Sequence, residues 1–224
     1  MWNEFNIKTF PAETLVYRDG VFCADLSTIS VGKIDKKYDL PVHIIYIGEI
    51  AGKNRLDIEI SADDQPVFLS AKIKNKKPAF LNIFIKNTGK NSVMRGTVLV
   101  ENMSRLEFDC TGENAADENE ISVHTRLIAY GGTKSKISGT AVINAGANNC
   151  TSDIDFTALA LENNAKIEFM PAQRISAIPQ SAKHSASIYH PTPMQILYLR
   201  SAGLSMAEVD STIREAFENN FELF

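Results

Sequence analysis

The feature that most constrains the fold of this chain is a long succession of short apolar stretches with a period of two, which runs from about Val42 to Tyr189. In one of them Leu56, Ile58 and Ile60 alternate with charged residues, as in a strand with one buried face. Similar stretches follow at 67–73, 80–86, 93–101, 104–109, 121–129, 136–143, 153–161, 165–169, 174–178 and 184–189. No amphipathic helix of ordinary length interrupts them, which argues against an α/β architecture.

About a dozen short strands without intervening helices indicate a sandwich, a barrel or a β-solenoid. Two-residue hairpin turns are scarce, and the one clear case, Asp19-Gly20, lies early in the chain. In the second half, stretches such as 165–169 and 174–178 are separated by very short connections, as at the corners of a solenoid rung. The pattern alone favours a solenoid only slightly over a sandwich.

The C-terminal tail differs from the rest of the chain. Thr192 and Pro193 form an N-cap and first-turn pair, and Gly203 is placed to end the helix that follows. A second helix begins at a capping box of Ser205 and Glu208 and carries an apolar stripe. We predict helices near 193–202 and 206–219, whose apolar face either caps the open end of the β-domain or docks a partner.

Composition excludes several functional classes. The net charge is -4 and the pI about 5.6, with no basic patch, so we expect no nucleic-acid partner. No apolar run approaches the ~18 residues that span a bilayer, and the N-terminus lacks the features of a signal peptide. Cys23, Cys110 and Cys150 are odd in number and far apart, which indicates neither a disulfide framework nor a self-contained metal site. We therefore expect a cytoplasmic protein without a membrane association.

The stretch from Gly139 to Gly203 resembles the C-terminal half of the core domain of the SufB/SufD family. The matching residues are Ala158-Leu-Ala-Leu161, Asn164-Ala165, Pro171, His184 and Gln195-Ile-Leu-Tyr-Leu-Arg-Ser-Ala-Gly203, in a register that needs no gaps. Near the start, residues 14–22 are similar to the segment with which that family begins its β-core. The chain is thus identified as a short, SufD-like member of the family.

This resemblance implies a mainly β fold, a right-handed parallel β-helix with a short C-terminal helical tail. It divides the chain into an N-terminal segment with a short hairpin (1–41), a β-helix core (42–190) and a helical tail (191–224). In that family two β-helices pair edge to edge and hold a transient iron–sulfur cluster at their interface. The tail binds SufC, an ABC-type ATPase.

The departures from the family pattern are as informative as the matches. Phe156 stands where SufB-like proteins carry the cysteine proposed to accept sulfur or hold the cluster. The glutamates on either side of the histidine are replaced by Lys183 and Ser185, and the acidic pair of many SufD-like sequences is Ile178-Pro179. Only the histidine of the proposed ligand set is retained, which implies SufD-like rather than SufB-like chemistry.

His184 is therefore the main candidate for a cluster ligand, since neutral imidazole binds iron. Cys150 is a secondary candidate, because its polar neighbours indicate an exposed corner where a thiolate could replace the missing cysteine. His190 is a possible auxiliary ligand, although Pro191 is expected to turn the chain away from His184. The candidates for an ATPase-docking surface are Tyr198, Leu199, Met206, Val209, Ile213 and Phe217.

The leading hypothesis is a non-catalytic scaffold subunit for iron–sulfur cluster assembly. Its expected partners are a SufC-like ABC-type ATPase, a second copy of itself or a SufB-like paralogue, and downstream apo iron–sulfur proteins. Two alternatives are a β-helix interaction protein that has lost cluster chemistry and, with less support, a β-solenoid enzyme acting on polysaccharide. No P-loop or nucleophile–base motif occurs, so any ATP hydrolysis must belong to the partner.

Overall fold

The computed structural model describes residues 14–18, 21–25, 33–35 and 37–219, so parts of the N-terminal segment and the last residues of the tail lie outside the description. The strands are β1 (Thr14–Arg18), β2 (Val21–Asp25), β3 (Lys33–Ile34), β4 (Val42–Ile60), β5 (Pro66–Asn87), β6 (Val93–Asn102), β7 (Arg105–Asn114), β8 (Glu120–Ala129), β9 (Lys134–Ile143), β10 (Thr151–Ala160), β11 (Lys166–Ile175) and β12 (Ser181–Tyr189). The helices are α1 (Pro193–Ser201) and α2 (Met206–Glu218).

From β4 onward the strands form the successive rungs of a two-faced parallel β-helix. One face stacks the first half of β4, the first half of β5, β6, β8, β10 and β12, and every pairing in it is parallel. The other face stacks the second halves of β4 and β5 with β7, β9 and β11, again in parallel. The prediction of a parallel β-helix is therefore confirmed, and the antiparallel sandwich is excluded as the core.

The N-terminal strands extend this sheet. β1 pairs in parallel with β4 and antiparallel with β2, as expected for strands that flank the Asp19-Gly20 pair, although that pair itself lies outside the described residues. β3 pairs in parallel with the end of β4.

A repeated turn aligns the rungs at one corner of the β-helix. The backbone amide of Lys90 donates to the Asp63 side chain at 2.7 Å, and the Asn91 side chain donates to Asp64 at 2.8 Å, in both cases across 27 residues. Four turn residues have a positive φ and occupy equivalent positions in successive rungs: Asp64, Asn91, Glu118 and Asn149. Short polar residues tolerate this conformation better than β-branched ones. The turn is thus a structural repeat that fixes the register of each new rung.

The interior is filled by the alternate residues of every strand, as the period-two pattern predicts. Polar side chains in the interior lie at the corners and bond to each other along the helix axis. The side-chain amide of Asn75 donates to Asn102 at 2.7 Å, and that of Asn102 donates to the hydroxyl of Ser135 at 2.7 Å. Stacked amides of this kind satisfy buried polar groups where the backbone turns away from the sheet.

The two tail helices lie close to their predicted positions. Both begin with a complete capping box, formed by Thr192 with Gln195 and by Ser205 with Glu208. Because these bonds satisfy amide groups at each helix start, they set the first helical residue from sequence alone.

Helix α2 packs along the side of the β-helix, and not over its open end. Phe217 lies against the Arg126 guanidinium, which also donates to the Phe217 carbonyl at 3.0 Å. Lys72 on β5 pairs with Glu218 at 3.2 Å. These contacts fall on the second to fourth rungs, whereas the open end lies at β11 and β12. The end-capping alternative for the tail is therefore wrong for the described residues.

A buried charge cluster fastens α2 to this face. Glu101 is 1 % exposed, and its carboxylate lies 3.9 Å from both Lys74 and Arg214. Burial raises the pKa of Glu101, while the neighbouring cations oppose that shift. Two outward-pointing apolar residues of the same face, Leu99 and Ile128, are also buried, which is consistent with cover by the tail.

Neither α1 nor α2, the helices of the described chain, has the length and apolar character needed to cross a membrane.

Candidate functional site

His184 lies at an inward-pointing register position of the last rung. Its partner on β10 is Ile154, which pairs in turn with Val123 on β8, and both of these residues are fully buried in the core. His184 is nevertheless exposed, because no further strand of the described chain follows β12. The fold therefore presents the imidazole at the open end of the β-helix.

The open end is apolar as well as unpaired. β11 and β12 are the two outermost strands of the sheet path, so each has an edge with no partner strand in the described chain. Inward-pointing residues that would be core in an earlier rung are exposed here: Ile188 is 43 % exposed and Ile175 is 37 % exposed. Unpaired edges next to apolar side chains are a template for association with another chain.

A groove of about 510 Å³ runs from His184 over the rim of this end. Its lining combines the last three rungs of one face with Gln173 from the other: His124, Asp153, Asp155, Gln173, Ala182, Lys183, His184 and Ser185. The side-chain nitrogen of Gln173 is buried and has no hydrogen-bond partner among the described residues. The groove thus contains imidazole, carboxylate, ammonium and an unsatisfied amide donor.

A polar relay on the outer wall of the groove joins three successive rungs. The Ser122 hydroxyl lies 3.1 Å from Nε2 of His124, and Nδ1 of His124 lies 3.7 Å from the Asp155 carboxylate. The Asp155 carboxylate also accepts a hydrogen bond from the Ser185 hydroxyl on β12. This chain of contacts ties the last rung to the two rungs before it.

The contact with Asp155 shifts both titrating groups. The hydrogen bond that the His124 ring donates to the Asp155 carboxylate raises the pKa of His124, while burial opposes the shift. The same hydrogen bond lowers the pKa of Asp155. The contact thus favours the ionised form of each group, the protonated imidazole and the charged carboxylate.

The groove does not hold a metal ion by itself. Across the part of the chain that the structure describes, no three histidine, cysteine, aspartate or glutamate side chains come together as a metal site. His124 and His184 are the imidazoles that line the groove.

Cys150 differs from its expected environment. We expected an exposed corner, but the side chain is fully buried, and its thiol donates to the carbonyl of Ala116 at 3.0 Å. Ser92 occupies the equivalent position two rungs earlier and donates to the Ala62 carbonyl at 2.6 Å. Burial raises the pKa of Cys150, which disfavours the thiolate that binds iron. The expectation of exposure is wrong, since Cys150 takes the inward corner position while its asparagine neighbours face the solvent.

Phe156 and His190 also lie apart from the groove. Phe156 points inward, is fully buried and stacks on Phe169 with ring centroids 5.6 Å apart. His190 is exposed in the connection between β12 and α1 and does not line the groove with His184. Of the candidate ligands, only His184 reaches the groove.

The predicted docking surface on the tail is divided in two by the fold. Val209 is fully buried, and Ile213, Phe217 and Leu199 are partly buried, so this part of the stripe packs within the molecule. The inclusion of Val209 is therefore wrong, because a side chain without exposed surface cannot contact an incoming protein. The deepest residue of the α2 stripe is thus used for packing within the molecule, along the side of the β-helix and not over its open end.

The exposed apolar surface lies mainly on α1. Tyr198 is 73 % exposed, and Met206 at the start of α2 is also exposed. Two residues that the sequence had not singled out, Met194 and Leu197, are exposed beside them. We call Met194, Leu197, Tyr198 and Met206 the α1 patch.

His124 and Asp155 are the site residues that sequence reasoning missed. Each lies at an outward position of a strand, where a polar residue is unremarkable. They meet only because β8 and β10 pair in a register that places His124 beside Asp155. A 27- to 31-residue repeat of the corner turn is the sequence signal that would have brought them together.

The resemblance implies a parallel β-helix with a C-terminal helical tail, and the structure has this architecture. The profile of the family described as "SUF system FeS cluster assembly, SufBD core domain" matches residues 69–217, which is more than half of the chain. The chain belongs to the SufBD core domain family. No curated protein sequence matches the chain. The matched region begins in β5 and ends in α2, so it includes the groove, the open end and both tail helices of this SufBD-family chain.

Proposed function

We propose that this SufBD-family chain is a non-catalytic scaffold subunit for iron–sulfur cluster assembly. It binds a SufC-like ABC-type ATPase through its tail and contributes His184 to a cluster site that a second β-helix completes. The second β-helix is another copy of the chain or a SufB-like paralogue. The cluster is cargo, which passes to downstream apo iron–sulfur proteins.

The observation that carries this proposal is the position of His184. An imidazole at an inward register position of an uncovered last rung is surrounded by unpaired strand edges and apolar side chains. A second β-helix that pairs with those edges would enclose the imidazole in an interface. Burial between two subunits excludes water and allows ligands from both sides to approach one iron.

Pairing is also supported by the incomplete ligand set. One imidazole cannot hold a cluster, and the only other cysteine and histidine candidates, Cys150 and His190, do not line the groove. A partner with its own thiolate would complete the site, which favours a SufB-like paralogue over a homodimer.

The α1 patch is the proposed surface for the ATPase. Three of its four side chains lie on one short helix, and that helix begins only three residues after β12 ends. Exposed methionine, leucine and tyrosine in one cluster are typical of a helix that docks into a partner's groove. We expect ATP hydrolysis to occur in the partner and not in this chain.

Cluster assembly is tested by reconstitution of the complex. The chain is co-expressed with a SufB-like protein and a SufC-like ATPase, incubated with ferrous iron and sulfide, and followed by visible charge-transfer absorption. We expect His184→Ala to reduce the bound cluster severalfold while the complex still forms. Lys77→Ala is the control, because it removes an exposed side chain of β5 that does not line the groove. His190→Ala tests the auxiliary ligand separately.

Equal cluster content in His184→Ala and Lys77→Ala would remove the assigned role of the histidine. It would then favour the alternative, a β-helix interaction protein without cluster chemistry, for which the absence of a three-ligand group in the described chain is the supporting observation.

Docking is tested with two tail variants. Tyr198→Ala changes the exposed patch, and Val209→Ala changes the buried side of the tail. We expect Tyr198→Ala to weaken ATPase binding with no loss of thermal stability, whereas Val209→Ala should lower stability first. An ATPase that binds the Tyr198→Ala variant as tightly as the parent chain would contradict the assignment of the α1 patch.

A further inference from the structure

A second groove, of about 430 Å³, lies on the other face of the β-helix. It is lined at the start of β7, β9 and β11 by four cations, Arg105, Lys134, Lys136 and Lys166, together with Glu107 and Glu168. We infer that this groove binds a small polyanion of the phosphoryl class. The inference goes beyond the proposed function and does not depend on it.

The register of the strands places three of the cations in one column. Arg105 pairs with Lys134, and Lys134 pairs with Lys166, each as a direct neighbour in the parallel ladder. Adjacent strands are about 4.8 Å apart, so the three charged groups start from backbone positions within roughly 10 Å. Like charges at directly opposed positions destabilise a sheet.

The two lysines of this column form no ion pair with another described residue. Arg105 forms an ion pair with Glu107 on its own strand. No carboxylate of the described chain lies within ion-pair distance of Lys134 or Lys166. Repulsion between neighbouring ammonium groups therefore persists unless an external anion neutralises it.

The next column along the same strands shows the contrast. It consists of Glu107, Lys136 and Glu168, again in direct register. Opposite charges alternate there between directly neighbouring strands. Oppositely charged residues thus alternate in the second column, whereas the first column consists of cations only.

The size and charge of the groove select the ligand class. Four cations against two carboxylates leave a local charge of +2 on a chain whose net charge is -4. A cavity of this volume is in the range that accommodates a small molecule. Ammonium groups and a guanidinium fork in one site suit the oxygens of a phosphoryl group. A compact anion with two or more negative charges, such as pyrophosphate, satisfies both conditions.

The groove is separate from the groove of His184. The cation column lies on the face built by β7, β9 and β11, whereas His124, Asp155 and His184 belong to β8, β10 and β12. Strand β11 contributes to both grooves, through Lys166, Ile167 and Glu168 in one and Gln173 in the other, but the two linings share no residue.

The test is isothermal titration of the full chain with metal-free pyrophosphate at low ionic strength. We expect saturable binding at one site, which weakens as salt is added because charges dominate the contact. Lys134→Ala and Lys166→Ala should each lose roughly tenfold in affinity, the order of magnitude of one charge-assisted hydrogen bond. Lys134→Arg keeps the charge and should retain most of the binding.

Lys53→Ala is the matched control, since it removes one exposed positive charge from the first rung, outside the groove. The inference is overturned if the parent chain shows no saturable binding at millimolar pyrophosphate. It is equally overturned if Lys53→Ala loses as much affinity as the groove variants, because binding would then reflect net charge alone. Tighter binding of an oligoglutamate peptide than of pyrophosphate to the same lysines would refute the small-anion class.

Discussion

Restoring the cysteine that SufB-like proteins carry, by the substitution Phe156→Cys, should destabilise this chain without creating an exposed thiol. Phe156 is fully buried, stacks on Phe169 and fills the space above Gly139. A phenylalanine-to-alanine change in a core costs about 3–5 kcal/mol, and the sulfur atom replaces only a small part of the ring. We therefore expect a loss of roughly 3 kcal/mol in the free energy of unfolding, measured by urea denaturation.

Gly139 provides a second arm for this experiment. A Cβ placed on Gly139 would lie 2.2 Å from the ring of Phe156, so Gly139→Ala in the parent chain forces the ring to move. Overpacking of this kind costs roughly 1–3 kcal/mol. In the Phe156→Cys background that space is empty, and the new methyl group should fill part of it. Ile154 lies 2.9 Å from the same Cβ position, so the recovery should be partial.

The double-mutant cycle should show a favourable coupling of roughly 1–2 kcal/mol between the two substitutions. The new thiol should react slowly with a thiol reagent in the native state. This expectation rests on Cys110, a buried neighbour in register with Gly139. Burial raises the pKa of the Cys110 thiol to about 12, which disfavours the reactive thiolate. Additive effects of the two substitutions, or rapid labelling of the native Phe156→Cys variant, would show that the side chain does not point into the core as described.

Three further predictions concern the corner, the groove wall and the tail. Cys150→Ser should change the free energy of unfolding by less than about 1 kcal/mol, because Ser92 makes the equivalent bond in another rung; a larger loss would contradict that equivalence. The raised pKa of His124 means that its stabilising contact with Asp155 is complete below the ordinary value of 6.5 and is lost as the pH rises through the folded-state value. The parent chain should accordingly lose more thermal stability than His124→Gln between about pH 6 and pH 8, and parallel profiles would argue against the contact. Val209→Ala should lower the free energy of unfolding by about 2 kcal/mol, whereas an exposed-site change on α1 should stay within about 0.5 kcal/mol, and equal effects would refute the packing of α2.

Most strands and both helix starts were predictable because they depend on local chemistry, but the expected corner between 169 and 174 is wrong, since both positions belong to the single strand β11. A period of two sets the inward and outward faces of a strand whatever its partner, and a capping box fixes a helix start through bonds between side chains three residues apart. The choice between solenoid and sandwich was not decided by the residues, because both folds bury one face of each strand. It depends on which strands pair, and the family resemblance supplied that information before the structure did.

The site was only partly predictable for the same reason. His184 was found through the resemblance, but its inward register position follows from its pairing with Ile154 and has no local signal. Cys150 was misjudged because Asn148 and Asn149 face the solvent while the third residue of the turn points inward. Val209 was misjudged because an amphipathic stripe indicates that one face of a helix is covered, but not whether the same chain or a partner covers it.

The position of the tail indicates how a protein bound at the α1 patch could affect the open end of the β-helix. Only His190, Pro191 and Thr192 separate the strand that carries His184 from helix α1, so any protein held by the α1 patch acts on the chain within a few residues of the open end. Helix α2 is anchored elsewhere, by contacts with Glu101 on β6 and Arg126 on β8, which are rungs in the middle of the β-helix. A displacement of α1 would therefore pull on two elements: α2, which is anchored, and β12, which is the last and least supported strand. In the described chain β12 is paired along only one edge, so we expect β12 to shift before the other strands. The environment of His184 should then change as well.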